Sequence, residues 1–415
     1  MPRLEGSERE DYDEREVGVV WRFSNHQKSG IDLTCSNPMR RPDCVAVGAE
    51  KSRITRRDFL ERGVGAVATG GALAAINPVM TAQRAGGKAA TSGAVPLSGK
   101  IALEEHYVIP ETLEASFASR GPAEFQHRIE EIGDQRIAEM DRGGVELCIL
   151  SLTSPGVQGI GKTSQAVDVA RRANDHLAER IGKYPKRLKG FAALPLQDPQ
   201  AAAQELTRCV KELGFLGALV NGFSQVGESN SPLFYDLPQY RPFWETVQQL
   251  DAPFYLHARS PLPGQQPAYE GHPWLTGSVW GFTAETAIHA LRLMGSGLFD
   301  DYPKLKVILG HLGEGPCSIW RVDNRISRTL GVRPKARRKI GEYLRENFYI
   351  TTSGNFCTQT LTEVLLEVGS DRILYSVDYP FEDMGEAAEW FDHAAISEAD
   401  RMKIASANTR LLFRF

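Results

Sequence analysis

Eight short β-branched or apolar runs, each followed by a longer segment of helical character, recur after Gly99, and no other feature restricts the fold as much. They are Ile101–His106, Glu146–Leu152, Leu188–Leu196, Leu216–Asn221, Pro253–His257, Leu305–His311, Phe348–Ser353 and Arg372–Asp378. Strands that alternate with helices pair in parallel, because each helix carries the chain back to the same end of the sheet. Helices are expected at Ser164–Lys183, with a capping-style Ser, and at Pro199–Leu213, which ends at Gly214. A third, Ala284–Met294, lies in a long Pro/Gly-rich insertion from Pro261 to Gly297. Eight such units suit a closed (β/α)8 TIM barrel, with a doubly wound α/β sheet as the alternative.

The reactive side chains separate these two folds, since barrel enzymes gather their chemistry at the carboxyl ends of the strands. Glu104 and His106 end the first run, Asn221 the fourth, His257 the fifth, His311 the sixth and Asp378 the eighth. Polar groups placed at random would scatter along strands and helices, so this repeated position favours the barrel. Glu104 and His106 stand two apart on a strand and share a face. With His257 and Asp378 they form a mixed nitrogen and oxygen set suited to one divalent cation, Zn2+ or Mn2+, which differ in geometry rather than in ligand type. His311 and Glu314 place a carboxylate near an imidazole, an arrangement that fixes a tautomer and tunes a proton donor or acceptor. His127, His176, His289 and His393 fall in helix-like segments and read as structural, while His272 in GHPW is left open.

Charge and cysteine content narrow the function further. Lys and Arg total 48 against 52 Asp and Glu, so no basic surplus exists to neutralise a nucleic-acid backbone. The six cysteines are scattered without a CxxC pair, which excludes a zinc ribbon and argues against a disulfide framework. Residues 1–99 read as a non-globular leader: Arg56 and Arg57 precede Asp58-Phe59-Leu60 and a weakly apolar Gly/Ala-rich run, resembling a twin-arginine export signal, and residues 82–98 read as a linker. Gly63 to Met80 is too short and glycine-rich for a stable membrane span. Residues 100–415 are expected to form one folded domain, the barrel that carries the candidate site residues.

The blocks IALEEHYVIPE, FAALPLQDP, GALVNGFS, YDLPQYRPFW, FYLH, GHPWL, ETAIHALRLM, GLFDDYPKLKVILGHLGEG, ITTSGNF and RILYSVDYPFED, in that order, closely resemble the gamma-resorcylate (2,6-dihydroxybenzoate) decarboxylase family. That family belongs to the metal-dependent decarboxylase branch of the amidohydrolase superfamily, and the resemblance spans Lys100 to Phe415. It implies an amidohydrolase-type barrel, a homo-oligomer (dimer or tetramer), and non-oxidative, reversible decarboxylation of a small aromatic acid with one divalent metal ion and no organic cofactor. Position by position it implies Glu104, His106, His257 and Asp378 as metal ligands, His311 with Glu314 as the adjoining polar pair, and Asn221 as a substrate contact. Phe282 and Arg321 are further candidates for lining the site, Arg321 by reaching a neighbouring subunit. Two departures stand out: GEGPCSIWR is one residue shorter than usual, and Tyr379 replaces a common Trp.

An aryl anion is too basic to leave free, so the ring carbon must gain a proton as CO2 departs. Asp378 is the expected donor and His311 the runner-up. A hydrolase on the same barrel, acting on a lactone or amide, is the alternative from another class, and a non-catalytic metal-binding barrel is a third. An export signal predicts a periplasmic or exported enzyme, whereas a start at Met39 predicts a cytoplasmic one. Mass spectrometry of the mature amino terminus separates them: loss of the Arg56-Arg57 segment is expected, and its retention overturns the export reading.

Overall fold

The computed structural model describes residues 97–415, apart from 228–230, 316–318, 329–330 and 332. The twin-arginine segment, most of the leader, and Cys35, Cys44 and Cys317 lie outside the described residues. Eight parallel strands follow one another in chain order: β1 Lys100–Tyr107, β2 Val145–Leu152, β3 Leu188–Ala192, β4 Gly217–Asn221, β5 Phe254–His257, β6 Val307–Leu309, β7 Phe348–Thr351 and β8 Ile373–Leu374. Sequential order without a reversal point is that of a (β/α)8 barrel, so the doubly wound alternative falls.

The longer helices between and after the strands include α1 Asp134–Arg142, α2 Thr163–Lys183, α3 Pro199–Lys211, α4 Arg241–Gln249, α5 Gly281–Gly295, α6 Ile319–Arg328, α7 Ile340–Asn347, α8 Thr358–Val368 and α9 Met384–His393. They bury their apolar faces against the outside of the sheet. In α3, Asp198 accepts hydrogen bonds from the amides of Gln200 and Ala201, and Pro199 opens the first turn where no amide donor is needed. The expected cap on α2 is absent: Ser164 lies inside the helix, whose N-cap is Lys162 without a side-chain bond. A two-stranded antiparallel ribbon, Ser224–Gln225 with Pro232–Leu233, was not anticipated, because two-residue strands carry no periodicity.

Inside the barrel one layer of side chains fills the axis: Leu103, Ile149, Phe191, Leu219, Tyr255, Ile308 and Leu374, with Leu412 packed against them. The last strands are shorter than the sequence suggested. β6 stops at Leu309 and β8 at Leu374, so His311 and Asp378 sit in the loops beyond their strands rather than at strand ends. Local backbone geometry keeps both residues themselves out of regular strand. His311, Leu312, Gly313, Glu314 and Gly315 all have positive φ, as does Asp378 at 83°, and left-handed residues cannot continue a strand.

β1 carries the decisive irregularity. Ala102 pairs with Cys148 and Glu105 with Leu150, so three steps on β1 face two on β2, which is a β-bulge. The extra residue lets both Leu103 and Glu104 face the interior, while Glu105 turns outward. The two amides freed by the bulge, those of Leu103 and Glu104, both donate to Ser376 Oγ at 3.1 and 2.6 Å. Closure of the ring runs through the same place: Asp378 N–H donates to the Glu104 carbonyl at 2.9 Å, and His106 N–H to that of Tyr379 at 2.7 Å. Glu105 completes the seam by accepting from the amides of Val377 and Tyr379.

Candidate active site

Each imidazole at the carboxyl end of the barrel has its Nδ1 held by a neighbour, which aims Nε2 inward. Ser151 Oγ lies 3.3 Å from His106 Nδ1, Asn221 Oδ1 2.7 Å from His257 Nδ1, and Glu314 Oε1 2.6 Å from His311 Nδ1. Such outer partners set the tautomer and ring orientation of metal-binding histidines. Glu104 is divided in the same way. Its Oε2 accepts from Ser353 Oγ at 2.5 Å and from the Tyr255 hydroxyl, leaving Oε1 to face the imidazoles. Oε1 lies 3.1 Å from His257 Nε2 and 3.2 Å from His311 Nε2, and Asp378 Oδ1 lies 3.0 Å from His106 Nε2.

Glu104, His106, His257 and Asp378 thus converge, with one candidate ligand atom from each lying within 4.8 Å of all the others. Ligand bonds of about 2.0–2.2 Å to one cation require that kind of spacing. The fit is also chemical. Glu104 Oε1 and His106 Nε2 are fully buried and, among the described residues, make no aligned hydrogen bond despite facing His257 Nε2 and Asp378 Oδ1, and polar atoms left so are costly unless an ion completes them. The charge states agree. Burial holds His257 below its usual range, so the ring is neutral as a ligand must be. For Glu104 burial opposes ionisation, but the imidazoles of His311, His257 and His106 outweigh it and hold the carboxyl well below its ordinary range. Burial likewise opposes ionisation of Asp378, and contacts with His106 and His311 overcome it. Around His311 burial disfavours the charged ring, yet the carboxylates of Glu104, Glu314 and Asp378 lift it well above its usual value.

Above the cluster opens a cavity of about 250 Å³, lined by His106, His257, His311 and Asp378 on the floor and by Phe117, Phe282, Val279 and Phe381 on the walls. One benzene ring fits between such walls. Glu382 and the hydroxyl residues Thr153, Ser154 and Ser278 add further polarity.

Several expected site residues take other places. Asn221 was expected to touch substrate, but it is 1% exposed: Oδ1 pairs with His257, and Nδ2 donates to the carbonyl of Leu152 at 3.1 Å. No polar atom is left for a ligand, so its role is to orient His257. Arg321 lies exposed on α6, outside the cavity lining of its own chain. Phe282 does line the cavity. Tyr379 is not among the residues that line the cavity and lies fully buried beneath the guanidinium groups of Arg128 and Arg136 at 4.9 and 4.8 Å. The shortened segment after Glu314 includes 316–318, outside the described residues. Of the other histidines, His289 is buried and accepts from the Tyr235 amide, a structural role, with its imidazole pushed down to about 3 by burial.

Sequence reasoning missed Tyr255, Ser353 and Ser376, which anchor Glu104, and Phe117 and Phe381, which wall the cavity. Thr351 and Ser353, two apart on and after β7, gave a legible signal, as Glu104 and His106 did. Phe117 gave none, since it comes from a short helical turn between β1 and α1.

A parallel eight-stranded barrel with a Glu/His/His/Asp cluster at its carboxyl end defines a metal-dependent enzyme of the amidohydrolase type. The amidohydrolase family model matches residues 123–415. Gamma-resorcylate decarboxylase of Polaromonas sp. strain JS666 is 57% identical over 324 residues, covering 77% of this chain and 99% of the relative. That of Rhizobium sp. strain MTP-10005 is 56% identical over the same coverage. A crystal structure of 2,6-dihydroxybenzoate decarboxylase complexed with 2,6-dihydroxybenzoate superposes with a TM-score of 0.74 at 55% identity, covering 77% of this chain and 100% of that one. The Polaromonas sp. JS666 dihydroxybenzoic acid decarboxylase, with bound manganese and 2-nitroresorcinol, gives 0.74 at 56% identity, with 77% and 97% covered. This chain belongs to the gamma-resorcylate decarboxylase family, within the metal-dependent decarboxylase branch of the amidohydrolase superfamily.

Gly310 provides a test of the cluster. A Cβ there would meet Glu104 Oε2 at 2.6 Å, closer than real Cβ contacts come. Gly310→Ala should therefore displace the carboxylate and lower metal affinity by about tenfold or more while circular dichroism stays native. Full metal occupancy at limiting manganese in that variant would show that Glu104 is not a ligand.

Proposed function

We propose that this protein decarboxylates ortho-hydroxylated benzoates without oxidation, converting 2,6-dihydroxybenzoate to resorcinol and CO2. The observation that carries the reading is the juxtaposition of the four-residue ligand cluster with a phenylalanine-walled cavity sized for one ring. A divalent ion held by Glu104, His106, His257 and Asp378 would supply positive charge that binds the carboxylate and the ortho oxygen together.

The remaining work belongs to the chain. Phe117, Phe282 and Phe381 confine the ring and exclude water around it, which strengthens every electrostatic contact at the floor. When the bond to the carboxylate breaks, its electron pair stays on the ring carbon, that carbon takes a proton, and CO2 leaves. Asp378 and His311 both line the floor, with Asp378 Oδ2 3.7 Å from His311 Nε2, so a proton held by this pair lies beside the reacting carbon. Glu314 fixes the His311 ring from behind through Nδ1. We assign delivery to Asp378 as a relay: the carboxylate, ionised at rest, takes the proton held on the charged His311 ring and passes it to the ring carbon. The ligand set alone would serve a hydrolase equally well, and the decarboxylase assignment follows from the family to which the chain belongs.

Metal-loaded protein incubated with 2,6-dihydroxybenzoate should release CO2 and resorcinol, and should leave simple lactones unopened. In Asp378→Asn, turnover should fall by roughly a thousandfold. Near-normal CO2 release from that variant with its metal retained would remove Asp378 from the donor role.

We also propose a homo-oligomer. Trp274, Trp280 and Ile288, together with Trp320 on α6, are between 49% and 69% exposed in the single chain, and apolar surface of that kind favours burial against another protein. Arg321 stands on the same helix as Trp320, in position to serve a neighbouring copy. No helix among the described residues is long and apolar enough to cross a membrane. Sedimentation equilibrium should give a multiple of the chain mass, and a monomer at micromolar concentration would overturn this assignment.

A further inference from the structure

Beside the ring cavity lies a second recess of about 270 Å³, whose walls include Ser116, Phe117, Arg120, Ser154, Arg259 and Gln266. Phe117 and Ser154 line both spaces, so the two are neighbours across one wall. Among the described residues no carboxylate lines the recess, and both charged groups that do are guanidinium groups.

Arg259 follows His257 by two residues and is 6% exposed. Its hydrogen bonds go only to neutral acceptors: Nη1 donates to the carbonyls of Gln158 and Phe223 at 3.2 and 2.8 Å, and Nη2 to Gln225 Oε1 at 2.9 Å. Nε is buried without a partner. The guanidinium stacks 4.2 Å over the Phe223 ring, and its stem packs on Gly222, where a Cβ would come within 2.5 Å of Cγ. Among the described residues no carboxylate reaches Arg259 at ion-pair distance; Glu285 acts on it only from farther away. A buried cation without a counter-charge is expensive, and proteins keep one where an anion completes it. Arg120 adds a second, exposed cation, 5.8 Å over the Phe117 ring that divides the two spaces.

We infer that this recess binds a small planar oxyanion, a carboxylate or carbonate species, next to the ring cavity. The inference rests on the decarboxylase reading for its ligand, because the substrate carries a carboxylate and the CO2 released hydrates to bicarbonate. Arg120 and Arg259 are then positioning residues that draw the anion toward or away from the metal cluster, without touching the reacting ring carbon.

The test uses full-length, manganese-loaded protein titrated calorimetrically with sodium bicarbonate, together with KM and kcat for 2,6-dihydroxybenzoate. The variants are Arg120→Ala, which alters only an exposed side chain, and Arg259→Gln. Loss of a charge-assisted contact should weaken bicarbonate binding by about tenfold in Arg259→Gln and several-fold in Arg120→Ala, with metal content unchanged. If the recess serves the substrate carboxylate on its way to the metal cluster, KM rises by a similar factor with kcat retained, even where bicarbonate affinity does not move. Unchanged KM and unchanged bicarbonate affinity in folded, metal-replete Arg120→Ala would falsify the inference, whether or not Arg259→Gln folds. Failure of the decarboxylase reading looks different: the unsubstituted protein would release no CO2, while bicarbonate binding sensitive to Arg120 would still report the recess.

Discussion

One extra residue in the first strand governs the architecture of the active end. Regular alternation would place Leu103 inward and Glu104 outward, away from every other candidate ligand. The bulge turns both inward, so that Leu103 seals the barrel axis and Glu104 rises directly above it toward His257 and His311. The cost is two unpaired amides, and the Ser376 hydroxyl accepts from both. Ser376 belongs to the segment that ends in Asp378, so the bond set that tolerates the bulge also delivers the fourth ligand. Closure of the barrel and assembly of the cluster are therefore a single event.

Electrostatics explains why this arrangement is worth its strain. His311, Leu312, Glu314 and Asp378 are all non-glycine residues held at positive φ, a conformation that costs on the order of 1–2 kcal/mol per residue. Strain of this sort persists where surrounding contacts over-determine it, and it collects at functional sites. Here the contacts are the His311–Glu314 pair, the amide of Asp378 on Glu104, and the hydrogen bond from the His311 amide to Ser353 Oγ. Two carboxylates and three imidazoles crowded at this depth leave Glu104 Oε1 and His106 Nε2 unsatisfied, and a divalent cation resolves both at once. The same reasoning, applied to the neighbouring recess, finds the opposite imbalance: a buried guanidinium with no carboxylate among the described residues in contact with it.

Much of this was legible before any coordinates. The eight strand positions, the barrel class, and the convergence of Glu104, His106, His257 and Asp378 at one end could be read from periodicity and from where polar residues interrupt apolar runs. Strand ends were less legible: the sixth and eighth runs look continuous through His311 and Asp378, because side-chain chemistry does not announce a left-handed backbone. The surroundings of Asn221 were hidden for a related reason. A polar residue at a strand end reads as a ligand contact, and only its neighbours reveal that both of its groups already hold His257 and the carbonyl of Leu152.

The order of residues along the chain determined which elements form and which ligand types they carry, since helix and strand periodicity and the spacing of two on a strand are local properties. Tertiary structure alone decided the rest: the bulge that aims Glu104, the hydroxyls of Tyr255 and Ser353 that leave one of its oxygens free, the phenylalanine walls, and the paired arginines of the side recess. Those features depend on contacts between residues distant in sequence, such as Glu104 with Ser376 and Phe117 with Phe282. Such contacts come into being only when the sheet closes on itself.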